Sequence, residues 1–382
     1  MDFTLNDEQK LMAKSVRQYM EAEIKPLVMK LDHEREYIHP HIGTAKEMGL
    51  LGLMMPEKYG GLECDAVTYC AVVEEVSRVC PAMGILISVH NSVGNYPIYQ
   101  FGTERQKDKY LPGLSTDKVG AMCLTEPNAG SDAGALATTA TKVDGGFRLN
   151  GSKVFVTNGD CAWTYIIAAT TAPSKGHKAV TAFIVERDNP GLIIHKHEEK
   201  MGIVSSDTVS LTLDDCFVPE ENVLGPEGDG FKIAMISLDA GRVGVGAQCV
   251  GIATGAMEEA VVYSQQREQF GRPISSFQAI QWMLADMSSR IEAARALTHR
   301  AAWMKDRGKP YTKEASAAKL YASEAATFVA HRAVQIHGGY GYMREYAVER
   351  FYRDARVTEI YEGTNEMQRL IIARNLLSKK KG

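Results

Sequence analysis

The segment Ile360-Tyr361-Glu362-Gly363-Thr364-Asn365-Glu366 sets one carboxylate between an aromatic ring and a glycine. Asn365 as a cap, Gln368 three residues on, and Met367, Leu370 and Ile371 at helical spacing predict that a helix starts there. Glu362 then sits just ahead of a helix N-terminus, and Gly363 lets a flat ligand approach the backbone closely. A carboxylate held in apolar surroundings has its pKa raised and becomes a useful base near neutral pH. A second candidate region is Met122-Cys123-Leu124-Thr125-Glu126-Pro127-Asn128-Ala129-Gly130-Ser131-Asp132, a long loop of turn formers entered from an apolar strand. Its backbone N–H groups and hydroxyls suit an anion such as pyrophosphate. Arg267-Glu268-Gln269-Phe270-Gly271-Arg272 and Phe277-Gln278 add cations and an amide beside a helix break, and Gln335-Ile336-His337-Gly338-Gly339 ends a helix on two glycines.

Other chemistries fit less well. Gly241-Arg242-Val243-Gly244-Val245-Gly246 and Gly338-Gly339-Tyr340-Gly341 do not follow a strand and open a helix, so they do not read as a dinucleotide fingerprint. His195 and His197 would share a strand face but lack a third ligand nearby, so no metal is expected. The net charge of −4 offers no electrostatic footprint for nucleic acid or an anionic membrane. Seven cysteines (Cys64, Cys70, Cys80, Cys123, Cys161, Cys216 and Cys249) contain no C-x-x-C pair, and their number is odd. Buried free thiols in a reducing compartment are expected. Met1-Asp2-Phe3-Thr4 is acidic where a secretion signal would be basic, and the most apolar run, from Gly244, is broken by Gln248, Glu258 and Glu259. The location expected is the cytoplasm, with the mitochondrial matrix as the alternative.

The elements that must position these groups fall into three regions. Residues 1–116 read as an all-helical N-terminal domain. Asn6 with Gln9 and Thr103 with Gln106 make capping pairs, Asp65 caps a third run, and Pro112-Gly113 is expected to end its helix. Met83–Val93 is apolar nearly all round and reads as a buried helix. Residues 117–225 read as a central β-domain. Asp144-Gly145 and Asn150-Gly151 look like hairpin turns, followed by strand runs at 153–157, 165–167, 182–185 and 209–213. With no helices between them, these strands predict an antiparallel barrel or sandwich. Residues 226–382 return to alanine-rich helices over about 230–266, 276–306 and 312–337, a C-terminal helical bundle domain.

In chain order the sequence carries Thr125-Glu126-Pro127, Gly130-Ser131-Asp132, Phe155-Val156-Thr157-Asn158-Gly159, Asp239-Ala240-Gly241-Arg242, Arg267, Gln269-Phe270-Gly271, Gln335-Ile336-His337-Gly338-Gly339-Tyr340-Gly341 and Tyr361-Glu362-Gly363-Thr364. This set resembles the acyl-CoA dehydrogenase family over nearly the whole chain, closest to its short-chain, bacterial butyryl-CoA dehydrogenase branch. The resemblance implies an α+β multidomain fold: an N-terminal helical domain, a central β-domain and a C-terminal four-helix bundle. It implies FAD as cofactor, an acyl-CoA substrate, an electron-transfer flavoprotein as partner, and a homotetramer in fatty acid metabolism.

Site roles follow by the same resemblance. Met122, Cys123, Leu124, Thr125, Gly130 and Ser131 would wrap the flavin, and Phe155, Val156 and Thr157 would flank its ring. Many relatives have Trp at the Phe155 position. Arg267, Phe270, Gln278, Gln335, Ile336, Gly338 and Gly339 would hold the FAD of a neighbouring subunit, and Thr364, Asn365 and Glu366 would add flavin contacts. Ser131, Asp239, Arg242, Tyr361 and Gly363 would contact substrate. Glu362 would take the α-proton while the β-hydride moves to flavin N5, giving the trans-2-enoyl-CoA. Some relatives carry the base one residue before the Arg of Asp239–Arg242; here that position is Gly241, which leaves Glu362. Relatives that take dicarboxylyl-CoA place an Arg in the helix matching Met83–Val93, and this chain has neither Arg nor Lys there. A buried unpaired carboxylate is costly, so a short linear acyl chain is expected. His90 keeps two readings, a satisfied core histidine or a reader of a polar or cyclic tail. The alternatives are a branched, cyclic or aromatic-tailed acyl-CoA, the reverse enoyl-CoA reduction, or a non-catalytic CoA-ester-binding scaffold.

Overall fold

Side-chain caps start the N-terminal helices where their residue types predict. The computed structural model describes residues 4–378, so the acidic start Met1-Asp2-Phe3 lies outside the described residues. Asn6 and Gln9 exchange hydrogen bonds of 2.8 and 2.9 Å ahead of Asp7–Tyr19. Thr103 and Gln106 do the same ahead of Glu104–Thr116, and Asp65 caps Ala66–Val79. Pro112-Gly113 does not end its helix: Glu104–Thr116 carries Pro112 inside. Leu111 and Leu114 are both buried there, and the Thr116 hydroxyl donates to the Pro112 carbonyl at 2.9 Å, so packing overrides the breaker. Pro81–Val89 is buried throughout and runs on into the π-turn His90–Gly94.

His90 settles as a core clamp. Its Nε2 lies 2.9 and 2.8 Å from the carbonyls of Leu51 and Leu114, and its Nδ1 accepts the Gly120 N–H at 3.0 Å. Burial pushes its pKa down to about 4. Both ring nitrogens are engaged by backbone, so it does not read an acyl tail.

The middle of the chain forms one sheet. Its strands are β1 (Val119–Cys123), β2 (Thr139–Val143), β3 (Gly146–Thr157), β4 (Ala162–Thr170), β5 (Val180–Glu186), β6 (Leu192–His197), β7 (Thr208–Pro219) and β8 (Val223–Leu224). The order is β6-β7-β3-β2-β4-β5-β8, with β1 beside β4. Most pairs are antiparallel, as the lack of intervening helices implies; β1 and β2 meet β4 in parallel. Asp144-Gly145 turns β2 into β3, with Gly145 at φ 76°. Asn150-Gly151 does not turn. β3 runs straight through it with a register slip against β7, and Asn150 Oδ1 accepts the Asp215 N–H at 2.8 Å. The pair serves a bulge here, which needs the same permissive residues as a turn.

Beyond the sheet, Gly230–Gln266, Gln278–Asp306 and Thr312–His337 pack together, with Ala347–Arg356 and Asn365–Leu377 laid against Thr312–His337. Gly230–Gln266 is long and apolar enough to cross a membrane by length and composition alone, yet 83% of its most apolar window is buried inside the protein. It is the core helix against which both helical regions pack.

Candidate active site

The chain bends sharply between Val357–Glu359 and Asn365–Leu377. Glu362 takes φ 52° and Gly363 φ 93°. A non-glycine residue in that left-handed region persists only where its surroundings hold it. Here the Glu362 carbonyl accepts from Gln368 Nε2 at 3.2 Å and from Arg242 Nε at 3.4 Å. The Gly363 carbonyl accepts from Gln368 Nε2 at 2.7 Å and from Lys319 Nζ at 3.0 Å. With both carbonyls gripped, the Glu362 side chain lies against Gly230–Gln266 at Gly241, where any Cβ would overlap its carboxylate. Residue 362 as a whole is partly exposed, but both carboxylate oxygens are sealed from solvent and have no hydrogen-bond partner among the described residues. Burial pushes the Glu362 pKa up to about 7, opposed first by Arg242 and then by Lys319.

The helix after the bend is capped by Thr364 rather than Asn365. Thr364 Oγ1 accepts the Met367 N–H at 3.4 Å. The Asn365 amide oxygen is already taken by Lys319 Nζ at 2.9 Å and Ser323 Oγ at 3.1 Å, which leaves the cap to its neighbour. Glu366 is exposed, whereas Asn365 is buried.

Around the base, Arg242 Nη1 pairs with Asp239 Oδ1 at 2.6 Å, and Thr312 Oγ1 donates to Asp239 Oδ2 at 2.5 Å. Burial raises the Asp239 pKa against these partners. The Tyr361 hydroxyl donates to Gln248 Oε1, and Gln248 in turn donates to the Pro81 carbonyl at 2.9 Å. One helical turn beyond Gly241, a Cβ on Gly244 would overlap the hydroxyls of Tyr69 and Ser88, which lie 3.0 Å apart.

The loop after β1 is held from inside. Glu126 and Ala129 exchange backbone hydrogen bonds of 3.2 and 3.1 Å. The Glu126 carboxylate accepts the N–H groups of Ala137 and Thr138 at 2.6 and 3.0 Å and pairs with the fully buried Lys153 at 2.7 Å. Lys153 also reaches the Leu124 carbonyl at 3.3 Å. Burial alone would raise the Glu126 pKa, but Lys153 and the backbone donors bring it below its ordinary value. This leaves Gly130 and Ser131 exposed, Leu124, Thr125 and Met122 half-buried, and Cys123 buried. Nearby, a bulge in β3 puts Phe155 at φ 58° and leaves the residue 67% exposed, while Val156 is buried and Thr157 half-buried.

A third group stands apart. Arg267, Ile336, Gly338 and Gly339 line one cleft of about 440 Å³ with Tyr263, His337, Tyr340 and Met343. Phe270, 94% exposed, sits between the short strands Glu268–Gln269 and Arg272–Pro273, and Gln278 and Gln335 are exposed. A further cleft of about 410 Å³ lies at the outer end of the β1 loop, lined by Asp132, Leu136, Thr170 and His177 among others. Neither cleft includes Glu362.

Sequence reasoning missed three of the residues that grip the bend and the loop, Lys319, Gln248 and Lys153, and gave Gln368 a capping role where it instead holds the carbonyls of the bend. The one signal available was a lone charge in an apolar or alanine-rich run, as in Ala317-Ala318-Lys319-Leu320. It also missed His39, Cys161 and Asp207, whose potential ligand atoms lie within 4.8 Å of one another. There the Asp207 carboxylate accepts the N–H groups of Asp160 and Cys161 at 3.3 and 3.0 Å, a backbone strut. His195 and His197 do not form a pair: His195 is exposed beside Thr212, and His197 stacks on Tyr37 at 4.1 Å.

Comparison with known proteins covers the whole architecture. The descriptions "Acyl-CoA dehydrogenase, N-terminal domain", "Acyl-CoA dehydrogenase, middle domain" and "Acyl-CoA dehydrogenase, C-terminal domain" match residues 6–118, 121–216 and 228–377. An acyl-CoA dehydrogenase of Bacillus subtilis (strain 168) is 51% identical over 374 residues, covering 98% of this chain and 99% of its own. The structure of butyryl-CoA dehydrogenase from Megasphaera elsdenii superposes with a TM-score of 0.97 at 48% identity, covering 99% of this chain and 100% of that one. A chain from structural work on the electron transferring flavoprotein of Acidaminococcus fermentans gives 0.98 at 47% identity, with 99% and 100% coverage.

Proposed function

Because this chain belongs to the acyl-CoA dehydrogenase family, a family of FAD-dependent oxidoreductases, we propose that it dehydrogenates a short-chain acyl-CoA between Cα and Cβ with Glu362 as the base. The observation that carries this reading is the Glu362 carboxylate, sealed from solvent, unpartnered, and raised to about 7. A base with that pKa is ionised for much of its time at neutral pH and strong enough to accept a carbon-bound proton when the forming enolate is stabilised. The Glu362 N–H is the donor the family pattern aims at the thioester oxygen, and one such donor is worth roughly 3–4 kcal/mol in the transition state.

The residues present fit FAD. An exposed aromatic ring on the strained Phe155 and the open Gly130-Ser131 backbone both suit a flat, anionic partner. Met122–Thr125, Gly130, Ser131 and Phe155–Thr157 would hold it, joined by Thr364–Glu366 and, from a neighbouring subunit of a homotetramer, by Arg267, Phe270, Gln278, Gln335, Ile336, Gly338 and Gly339. When bound there, FAD would supply the acceptor for the hydride equivalent lost from Cβ. Glu362 takes the α-proton, so the C–H pair is lost as proton plus hydride and the trans-2-enoyl thioester is left. Asp239, Arg242, Ser131, Tyr361 and Gly363 would line the path of the thioester and its CoA. Re-oxidation is assigned to an electron-transfer flavoprotein, in line with the Acidaminococcus fermentans chain.

A short acyl chain is supported by the floor of the site. Gly241 faces Glu362 and Gly244 faces Tyr69 and Ser88, and three residues of helix rise about 4.5 Å. A tail running along this face meets the two hydroxyls within a few carbons of the base. Pro81–Val89 supplies an apolar wall with no cation for a second carboxylate. The test is anaerobic titration of the flavin spectrum. Butyryl-CoA should bleach it and glutaryl-CoA should not; a colourless purified protein, or bleaching by glutaryl-CoA in preference, would overturn the reading.

A further inference from the structure

Lys319 lies in the middle of Thr312–His337, fully buried, among alanines. The hydrogen bonds that hold its ammonium come from neutral acceptors, the Gly363 carbonyl at 3.0 Å and the Asn365 amide oxygen at 2.9 Å. A buried charge is ordinarily matched by an opposite one. The other cation at the site is matched: Arg242 sits 2.6 Å from Asp239. Of the other carboxylates near Lys319, Glu359 is engaged by Thr327 at 2.6 Å and Arg356 at 2.8 Å, and Glu366 is exposed to solvent, 3.9 Å from Arg369. The acid left facing Lys319 is Glu362, whose oxygens have no partner at all.

Resting on the reading of Glu362 as the base, we propose that Lys319 is the positioning residue of that base: it holds the Glu362–Gly363 bend by its backbone and faces the carboxylate with the positive charge against which Glu362 ionises. Two links are visible. One is mechanical. Lys319, with Gln368, turns the Gly363 carbonyl inward and occupies Asn365, so the left-handed bend cannot relax without breaking several hydrogen bonds. The other is electrostatic. Burial brings the Lys319 pKa down to about 8, with Glu362 among the charges that resist the fall, and Lys319 in turn holds Glu362 down. The remaining titratable groups facing the pair are Arg242 and Cys249 on Gly230–Gln266, Tyr361 and Glu359 ahead of the bend, Glu366 on Asn365–Leu377, and Tyr69 on Ala66–Val79. Arg242 acts on both members from another side, so the contribution of Lys319 is separable by substitution.

The experiment reads the acid limb of kcat/KM for flavin reduction, which reports the free enzyme's base. K319Q removes the charge and offers an amide donor on a shorter side chain. It should move the limb up by about one pH unit, a tenfold lower kcat/KM on the acid side, with flavin content unchanged. K319R should restore the limb towards its wild-type position. An infrared titration of the buried carboxyl band, identified by its absence in E362Q, should move with it. An unmoved limb in K319Q, or a K319R displaced as far as K319Q, overturns the proposal and leaves Lys319 a structural anchor. Should K319Q not fold, the lysine Nζ nitrogen resonance of Lys319 in E362Q decides: its titration midpoint should fall below that of wild type, and an unchanged midpoint is the contrary result. Failure of the parent reading looks different, because E362Q would then reduce flavin as fast as wild type whatever Lys319 does.

Discussion

Two glutamates with buried carboxylates, each near a buried lysine, behave in opposite ways. Glu126 has Lys153 at 2.7 Å and two backbone N–H donors on its oxygens, and its pKa falls below the ordinary carboxylate value. Glu362 faces Lys319 and Arg242, yet neither touches its oxygens, and its pKa rises to about 7. The cations differ in what they hold. Lys153 grips a carboxylate, whereas Lys319 grips the backbone that carries one. Full satisfaction makes Glu126 an inert strut for the loop. Withheld hydrogen bonds keep Glu362 reactive, and the cations nearby moderate its charge without quenching it.

Breaking the satisfied pair should do the most damage to stability. K153M leaves the Glu126 charge buried and unpaired, which typically costs about 3–5 kcal/mol. Denaturant unfolding should show this loss, together with poor flavin retention as the β1 loop comes free. Equal stability of K153M and wild type would remove the strut from the account.

The unsatisfied glutamate predicts the reverse sign. Its folded pKa stands above the unfolded value, so the native state holds the extra proton and stability falls as pH rises from the ordinary carboxylate range towards 7. E362Q removes that penalty. It should be more stable than wild type at pH 8, by up to about 3 kcal/mol as an upper bound, with the difference closing near pH 4. Parallel thermal melts across pH check this. For Glu126 the slope is opposite: its contribution is present above the ordinary carboxylate range and is lost as pH falls through its depressed pKa.

A sharper probe separates reactivity from charge. G241A puts a methyl group where the Glu362 carboxylate now lies. Displacing a reacting group by about 1 Å can cost on the order of 100-fold. Stopped-flow flavin reduction by butyryl-CoA should fall by that order while global stability changes little. An unchanged rate would show that the carboxylate works from elsewhere.

Much of this arrangement was legible before the structure because it is local. Capping boxes at Asn6 and Thr103, the Asp144-Gly145 turn and the helix start just after Glu362-Gly363 each declare themselves within a few residues. The errors are places where distant contacts overrule local preference. Pro112 stays helical because buried leucines flank it. Asn150-Gly151 bulges because β7 pairs on both sides of it. Thr364 displaces Asn365 as the cap because a lysine from another helix takes the amide. Lys153, Gln248 and Lys319 were invisible as functional residues for the same reason: what each one holds comes from a different part of the chain. Gln368 lies beside the carbonyls it grips, but its sequence position suggested only a cap partner.

The central claim is that an unpartnered carboxylate at position 362 takes the substrate α-proton. The measurement that tests it most directly is the rate of anaerobic flavin reduction by butyryl-CoA in E362Q, a near-isosteric change that preserves the fold. Loss of a general base typically costs about 10²–10⁴ in rate, so a fall of at least ~100-fold with flavin content intact is predicted. A rate within about tenfold of wild type would contradict it and would return the base to some other group.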